Sequence, residues 1–242
     1  MKKQVCVVIP TYNNAGTILQ VIEDVRKSGL HIIVVNDGST DQTSSLLASL
    51  QGVVKVEYER NQGKGYALKC GMRKALGMGF KYAITIDADG QHYADDIPLF
   101  LEAHQKLPDA LIVGTRRFDD PNMPAGNTFA NRFSNFWFKL QTACSLPDTQ
   151  TGFRLYPLLK MGKMPWMTYR YEAELEMLVY AAWHNIELVP IDIKVYYPPK
   201  DVRVTHFRPV YDFARISILN TVLCFLAVVY GYPNKLLKMM RS

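Results

Sequence analysis

An apolar run ends in two carboxylates, a carboxamide and an imidazole at Asp87-Ala88-Asp89-Gly90-Gln91-His92. Side chains two apart in extended backbone point the same way, and a turn starting at Gly90 swings Asp87, Asp89 and Gln91 around one point. Hard oxygen donors of this kind suit Mg²⁺ or Mn²⁺. The same residues also suit an ordinary strand-to-turn transition, because Asp and Gly favour turns for purely local reasons. The rest of the chain has to decide between the two.

Three further polar stretches follow apolar runs: Thr11-Tyr12-Asn13-Asn14, Asn36-Asp37-Gly38-Ser39-Thr40-Asp41 and Asn61-Gln62-Gly63-Lys64-Gly65. Asp37, just after a strand, is placed to accept hydrogen bonds from a base or ribose. The Gly63-Lys64-Gly65 backbone allows close approach of a phosphate, although it lacks the GxxxxGK[ST] spacing of a Walker loop. A metal at Asp89 and Gln91 would neutralise a diphosphate.

The elements that position these groups read as strands alternating with helices. Val5 to Ile9, closed by Pro10, is unbroken and apolar, as expected of a central parallel strand. Ile18, Leu19, Ile22 and Val25 recur at helical spacing between Ala15 and Lys27, and Gly29 ends that helix. The pattern repeats through strands at 31–35, 53–58 and 81–86, with helices carrying Leu46, Leu47 and Leu50 and then running from Asn61 to about Leu76. Strand–helix alternation implies an α/β fold with a parallel, Rossmann-like sheet and right-handed crossovers. All the following loops then reach one edge, where ligands of such sheets sit.

Beyond the Asp-rich turn, Asp95-Asp96-Ile97-Pro98 reads as a helix start with an Asp cap. Leu111 to Gly114 is a strand ending in Thr115-Arg116-Arg117. Residues 119–127 read as a mobile loop and 129–140 as a helix with Phe133, Phe136, Trp137 and Leu140 along one side. Asp148 to Arg154 reads as a polar turn, 172–183 as a helix, 186–197 as a strand and 198–201 as a loop. No internal repeat or low-complexity linker interrupts the chain.

Composition sets outer bounds. The 242 residues suit one large domain with a C-terminal extension, divided here as 1–208 and 209–242, and 48% hydrophobic content fits a folded chain. The net charge of +6 suits anionic partners, and Lys235, Lys238 and Arg241 concentrate it at the end. Nucleic acid is not expected, because the basic residues form no aromatic-interleaved stripe. Cys6, Cys70, Cys144 and Cys224 lie far apart, so neither a zinc site nor a disulfide framework is indicated. The N-terminus runs directly into a strand without the apolar core of a signal peptide, so secretion is not expected. Ile216 to Tyr230 is apolar apart from Ser217, Asn220 and Thr221, short of the ~20 residues that span a bilayer. With Arg215 before it and basic residues after it, this helix suits the membrane interface, or packing on the domain or a second copy.

Taken in order, Val7-Val8-Ile9-Pro10-Thr11-Tyr12-Asn13, Val34 to Asp41, Asn61 with Gly63-Lys64-Gly65, Asp87 to His92, Gly114-Thr115-Arg116 and Thr151-Gly152-Phe153 resemble the family 2 glycosyltransferases of GT-A fold. Within that family the similarity is to the polyprenol-phosphate sugar transferases, and it covers about residues 4 to 200. The resemblance implies nucleotide contacts at Pro10, Tyr12, Asn13, Asp37, Asn61, Lys64 and Asp87. It places the divalent cation and sugar diphosphate at Asp87, Asp89 and Gln91. It also implies acceptor or diphosphate contacts at Arg116, Arg132 and Arg203, with His206 as either a phosphate contact or a loop residue. The chain departs from the family's Gly/Ser-rich stretch after Arg203, where it reads Val204-Thr205-His206-Phe207-Arg208-Pro209.

The implied reaction is transfer of a sugar, with inversion, from a nucleoside-diphosphate donor to a lipid-linked or phosphorylated acceptor. Mg²⁺ or Mn²⁺ assists it, at the cytoplasmic face of the inner membrane. A nucleotidyltransferase and a non-catalytic nucleotide-sugar-binding subunit are the alternatives. A hydroxyl acceptor would require a general base, for which Asp148, Glu172 and Glu174 are candidates. An acidic first helical turn explains Glu172 and Glu176 better than Glu174, so Glu174 is the expected catalytic carboxylate.

Overall fold

The computed structural model describes residues 2–117, 125–197 and 209–239. The loop expected at 198–201, together with Arg203 and His206, lies outside them, as does most of the loop expected at 119–127. The strands are β1 (Val5–Thr11), β2 (His31–Asn36), β3 (Val54–Glu57), β4 (Tyr82–Thr85), β5 (Leu111–Arg116), β6 (Arg154–Pro157) and β7 (Leu188–Ile193). The helices are α1 (Ile18–Arg26), α2 (Thr43–Ser49), α3 (Lys64–Gly77), α4 (Ile97–Lys106), α5 (Ala125–Thr142), α6 (Leu158–Met161), α7 (Glu172–Trp183), α8 (Pro209–Leu226) and α9 (Tyr232–Met239). A π-helical turn, Ala227–Gly231, joins the last two into one continuous rod.

The unbroken apolar strands follow from a sheet covered on both faces. Cys6 and Val8 of β1 enter a core shared with α3, α7 and α8. Val5, Val7 and Ile9 enter a second core with α1 and α4 on the opposite face. Ile33 and Val35 against Ile32 and Val34 repeat this division in β2. Neither face of the central strands meets water, so no polar alternation appears.

Strand order is β3-β2-β1-β4-β6-β5-β7, parallel except for β6, which runs antiparallel to both β4 and β5. From β1 the chain first winds outward through β2 and β3, then returns to place β4 on the other side of β1. The crevice at this reversal is where open α/β sheets bind ligands. It lies between the loop after β1 and the Asp-rich turn after β4.

Three local expectations are corrected. Arg154, read as the last residue of a polar turn, instead opens the antiparallel strand β6 and is wholly buried. Asp96 does not cap α4, and its carboxylate instead accepts the Lys194 amide at 2.6 Å, tying that helix to the end of β7. The C-terminal apolar segment is also longer than its sequence run. Tyr211–Leu237 is a 27-residue helical stretch containing an 18-residue window of mean hydropathy 1.9, long and apolar enough to cross a membrane by length and composition alone. Its inner face, with Leu219, Leu223 and Ala227, belongs to the first core, while Ile218, Phe225 and Val228 are each about two-thirds exposed.

Candidate active site

A cavity of about 1280 Å³ opens at the carboxyl ends of the parallel strands. Its wall brings together Pro10, Tyr12 and Asn13, then Asp37, Asn61 and Lys64, then Asp87, Asp89 and Gln91, with Arg116 and Glu174 beside them. Arg132 is on the exposed side of α5 and does not line it.

At the β1–β3 edge, several side chains expected to meet a nucleotide also shape the loops around it. Asp37 is 3% exposed, and its carboxylate accepts the Gln62 amide at 2.7 Å, the Gly63 amide at 2.9 Å and Asn61 Nδ2 at 2.8 Å. Burial pushes its carboxyl up, against the pull of those donors. Asn13 adopts a positive φ of 52°, and its Oδ1 accepts the Thr40 amide at 2.8 Å, joining the first loop to the second. Arg170 donates to Asn61 Oδ1 at 3.4 Å from the loop before α7 and also lines the cavity. Sequence reasoning missed Arg170 and Tyr171, although a Tyr-Arg-Tyr run immediately before a helix start was a usable signal.

The acidic centre is built on a glycine. Lys64 Nζ lies 2.8 Å from Asp87 and 2.9 Å from Glu174, bridging the end of β4 to the first turn of α7. A side chain on Gly152 would collide with all three charged groups, its Cβ standing 2.7 Å from Asp87 Oδ2. Burial raises the Asp87 pKa, but the Lys64 charge outweighs it and holds the carboxyl below its ordinary value. Among the described residues no cation pairs with Asp89 in this way, and the more distant Lys64 charge only partly offsets the effects that raise its pKa. Burial, and then the neighbouring Asp87 charge, push its pKa up to about 6, while Oδ1 accepts the Gln91 amide at 2.9 Å.

Arg116 is fixed by a buried partner. Its Nε and Nη2 donate to the two carboxylate oxygens of Asp148 at 2.7 and 3.0 Å, and Asp148 is fully enclosed. Such bidentate pairing fixes orientation as well as charge, and it removes Asp148 from the candidate bases. Glu176 accepts the Met167 and Thr168 amides and the Thr168 hydroxyl, a structural role. His92 packs against the Phe153 ring with centroids 5.5 Å apart, and burial drives its pKa down to about 4, so it is neutral near pH 7.

Comparison with known proteins decides what this arrangement belongs to. Residues 6–158 match the family model described as "Glycosyl transferase family 2". The chain belongs to that family. It is 28% identical over 219 residues to the UDP-N-acetylglucosamine–dolichyl-phosphate N-acetylglucosaminyltransferase of Methanococcus voltae, covering 81% of this chain and 86% of that one. It is also 28% identical over 160 residues to the polyprenol monophosphomannose synthase of Mycolicibacterium smegmatis, covering 62% and 60% of the two chains. In fold it is similar to glucosyl-3-phosphoglycerate synthase of Mycobacterium tuberculosis, solved with Mn²⁺, UDP and phosphoglyceric acid. That similarity has a TM-score of 0.63 at 18% identity, covering 93% of this chain and 78% of that one. The protein is a glycosyltransferase of GT-A fold.

A divalent cation fits this glycosyltransferase at the end of β4. Among the described residues no group of three or more His, Cys, Asp or Glu side chains gathers into a metal cage. Mg²⁺-type sites need none, because one or two carboxylates suffice when substrate phosphates complete the shell. Asp89, with its raised pKa and hard oxygens, has the chemistry of such a ligand, and Gln91 lies in the same turn.

The opposite wall of the cavity is apolar. Phe129 and Phe133 of α5 face it together with Phe213 and Ile216 of α8, and the Phe133 and Phe213 rings stack with centroids 5.9 Å apart. α5 and α8 also continue outward as exposed apolar surface, with Phe129 72%, Phe136 61% and Phe225 67% exposed.

Proposed function

We propose that this glycosyltransferase moves a sugar, with inversion, from a nucleoside-diphosphate donor to a lipid-linked, polyprenyl-phosphate-like acceptor at the cytoplasmic face of the membrane. One observation carries the reading. A single cavity joins a charged pole, with Lys64, Asp87, Asp89 and Arg116, to an aromatic pole whose helices continue as exposed apolar surface. A soluble acceptor would have no use for the second pole.

Asp89 and Gln91 would hold Mg²⁺ or Mn²⁺, which when bound offsets charge on the departing diphosphate. Lys64, oriented by Asp87 and Glu174, adds a fixed positive charge beside it. Arg116, held by Asp148, presents a second cation to an anionic acceptor. A phosphate acceptor is already ionised at neutral pH and needs no general base, so Glu174 acts here by positioning Lys64. Asn61, Asp37 and Tyr12 frame the nucleotide edge. The exposed stripe of the 211–237 helix, with α5 beside it, supports docking onto lipid.

The test is Asp89→Asn assayed for turnover of UDP- and GDP-sugars with polyprenyl phosphate and Mn²⁺. Divalent-dependent turnover should vanish while circular dichroism stays unchanged. Full turnover in that variant refutes the mechanism.

A further inference from the structure

A second cavity, of about 500 Å³, lies on the α3 face of the sheet between α7, the C-terminal rod and the loop joining α6 to α7. It shares no lining residue with the first. On the rod its wall is Leu223, Leu226 and Tyr230, whereas the first cavity has Phe213 and Ile216. The two are thus separated by about two helical turns, roughly 10 Å of rise. Its size falls in the range of about 300–1,000 Å³ that small-molecule sites occupy.

The polar atoms in this wall are engaged with one another. Glu176 is 2% exposed and accepts the Met167 and Thr168 amides. Trp183 Nε1 donates to the Gln141 carbonyl at 2.8 Å. His184 Nδ1 donates to the Tyr180 carbonyl at 2.8 Å, which leaves Nε2 to accept the Tyr230 hydroxyl at 3.2 Å. What the groove offers a ligand is therefore carbon, part of it from Met164 and Met167, whose flexible thioethers adapt to variable hydrocarbon. The rod is shaped to this wall. Its π-helical turn carries Tyr230, and Gly231 rests so closely on Trp183 that a Cβ would stand 2.4 Å from the indole nitrogen. Such turns recur at functional sites.

The mouth of the groove indicates the occupant. Its lips, Met167 and Tyr230, are each 45% exposed, and Tyr230 adjoins the exposed Val228 and Val229 of the rod. Lys163 stands exposed at the same mouth. Lys69 is held over the Trp166 and Tyr169 rings of the same loop, 5.9 and 5.1 Å from their centroids. Hydrocarbon inside, positive charge at the rim and Trp and Tyr beside it match a lipid with an anionic headgroup.

We propose that this groove holds one hydrocarbon chain of an anionic membrane phospholipid, with the lipid phosphate at Lys163. The inference takes its ligand from the lipid-docking reading given above. It concerns a site separate from the acceptor's, whose phosphate belongs at Arg116 in the first cavity.

The full chain is titrated with dihexanoylphosphatidylglycerol or the zwitterionic dihexanoylphosphatidylcholine, each below its micelle concentration, while thermal unfolding is followed, since a ligand of the native state raises the midpoint. A saturable rise is expected, with half-saturation about 5-fold lower for the anionic lipid, the worth of one lysine near an anionic surface. Lys163→Glu should remove that preference. Leu226→Trp fills the groove and keeps the rod apolar. It should abolish the shift with both lipids, leave circular dichroism unchanged and hold co-sedimentation with phosphatidylglycerol vesicles within about 3-fold of wild type. Should that variant misfold, Trp183 serves as reporter in a Trp137→Phe, Trp166→Phe background, where chain-brominated phosphatidylglycerol should quench its fluorescence. No saturable shift in wild type, a full shift in folded Leu226→Trp, or an unquenched Trp183 overturns the proposal. A shift with farnesyl phosphate and none with phosphatidylglycerol overturns it in favour of the acceptor's tail. An intact lipid shift without vesicle co-sedimentation upholds the groove and refutes membrane docking instead.

Discussion

Gly152→Ala isolates the acidic centre. The new Cβ would stand 2.7 Å from Asp87 Oδ2, 2.8 Å from Lys64 Nζ and 2.9 Å from Glu174 Oε1. Ordinary contact begins at 3.4 Å, so the three heads must retreat by 0.5 to 0.7 Å (3.4 less 2.9, 2.8 and 2.7). They cannot retreat independently, since Lys64 is held 2.8 Å from one carboxylate and 2.9 Å from the other. The ends of flexible side chains yield cheaply, so folding stability should fall by no more than about 1 kcal/mol, the low end of overpacking costs. Catalysis is less forgiving. Misplacing a positioning group by ~1 Å costs about 100-fold, so half that displacement should lower kcat/KM roughly 10- to 30-fold. Turnover of the nucleotide sugar is measured alongside urea unfolding, and the expected signature is a large kinetic loss with a small change in midpoint. Wild-type kcat/KM in the variant would refute the idea that this network positions the donor.

Other expectations follow from the same geometry. Asp148→Asn removes the buried bidentate carboxylate that holds the Arg116 guanidinium and should cost about 3–5 kcal/mol in urea unfolding, the range for breaking buried pairs. Asp89, with its pKa raised to about 6, should lose divalent binding as pH falls through that value, seen as loss of the Mn²⁺-induced thermal shift. The sign for metal-free protein is the reverse: the folded state holds this proton more tightly than the unfolded chain. Stability measured in chelator should therefore fall from this group as pH rises between 3.8 and about 6, and Asp89→Asn should flatten that slope. Phe136→Asp with Phe225→Asp, on surfaces 61% and 67% exposed, should reduce co-sedimentation with phosphatidylglycerol vesicles by more than about tenfold while leaving UDP and GDP shifts intact. Surface substitutions test docking more cleanly than deleting the helix after Arg215, because Leu219, Leu223 and Ala227 hold part of the core.

What could be read from residues alone was whatever local pattern dictates. Unbroken apolar strands announced a sheet covered on both faces, and polar residues following each of them announced a single ligand-bearing edge. β6 escaped because a buried arginine looks like a surface residue until its partners are known. Those partners, the Thr149 and Glu174 carbonyls, are backbone atoms brought in by folding. Lys64 was expected among the nucleotide contacts, but its clamp between Asp87 and Glu174 joins residues 23 and 110 positions away, which spacing cannot show. The distinction between Glu172 and Glu174 was hidden for the same reason. Both sit in an acidic first turn, and only the packing shows that Glu174 is the one that meets Lys64.

The C-terminal helix also orders events during synthesis. Asn234 Nδ2 donates to the Trp183 carbonyl at the end of α7, and Lys235 Nζ donates to the Thr142 carbonyl at the end of α5. Phe213 and Ile216, on the same rod, complete the aromatic wall. Every strand and the whole diphosphate centre are translated before these contacts can form. The residues around Lys64, Asp87 and Asp89 are therefore made before the rod is, whereas the aromatic wall and the part of the core held by Leu219, Leu223 and Ala227 close only when the rod docks.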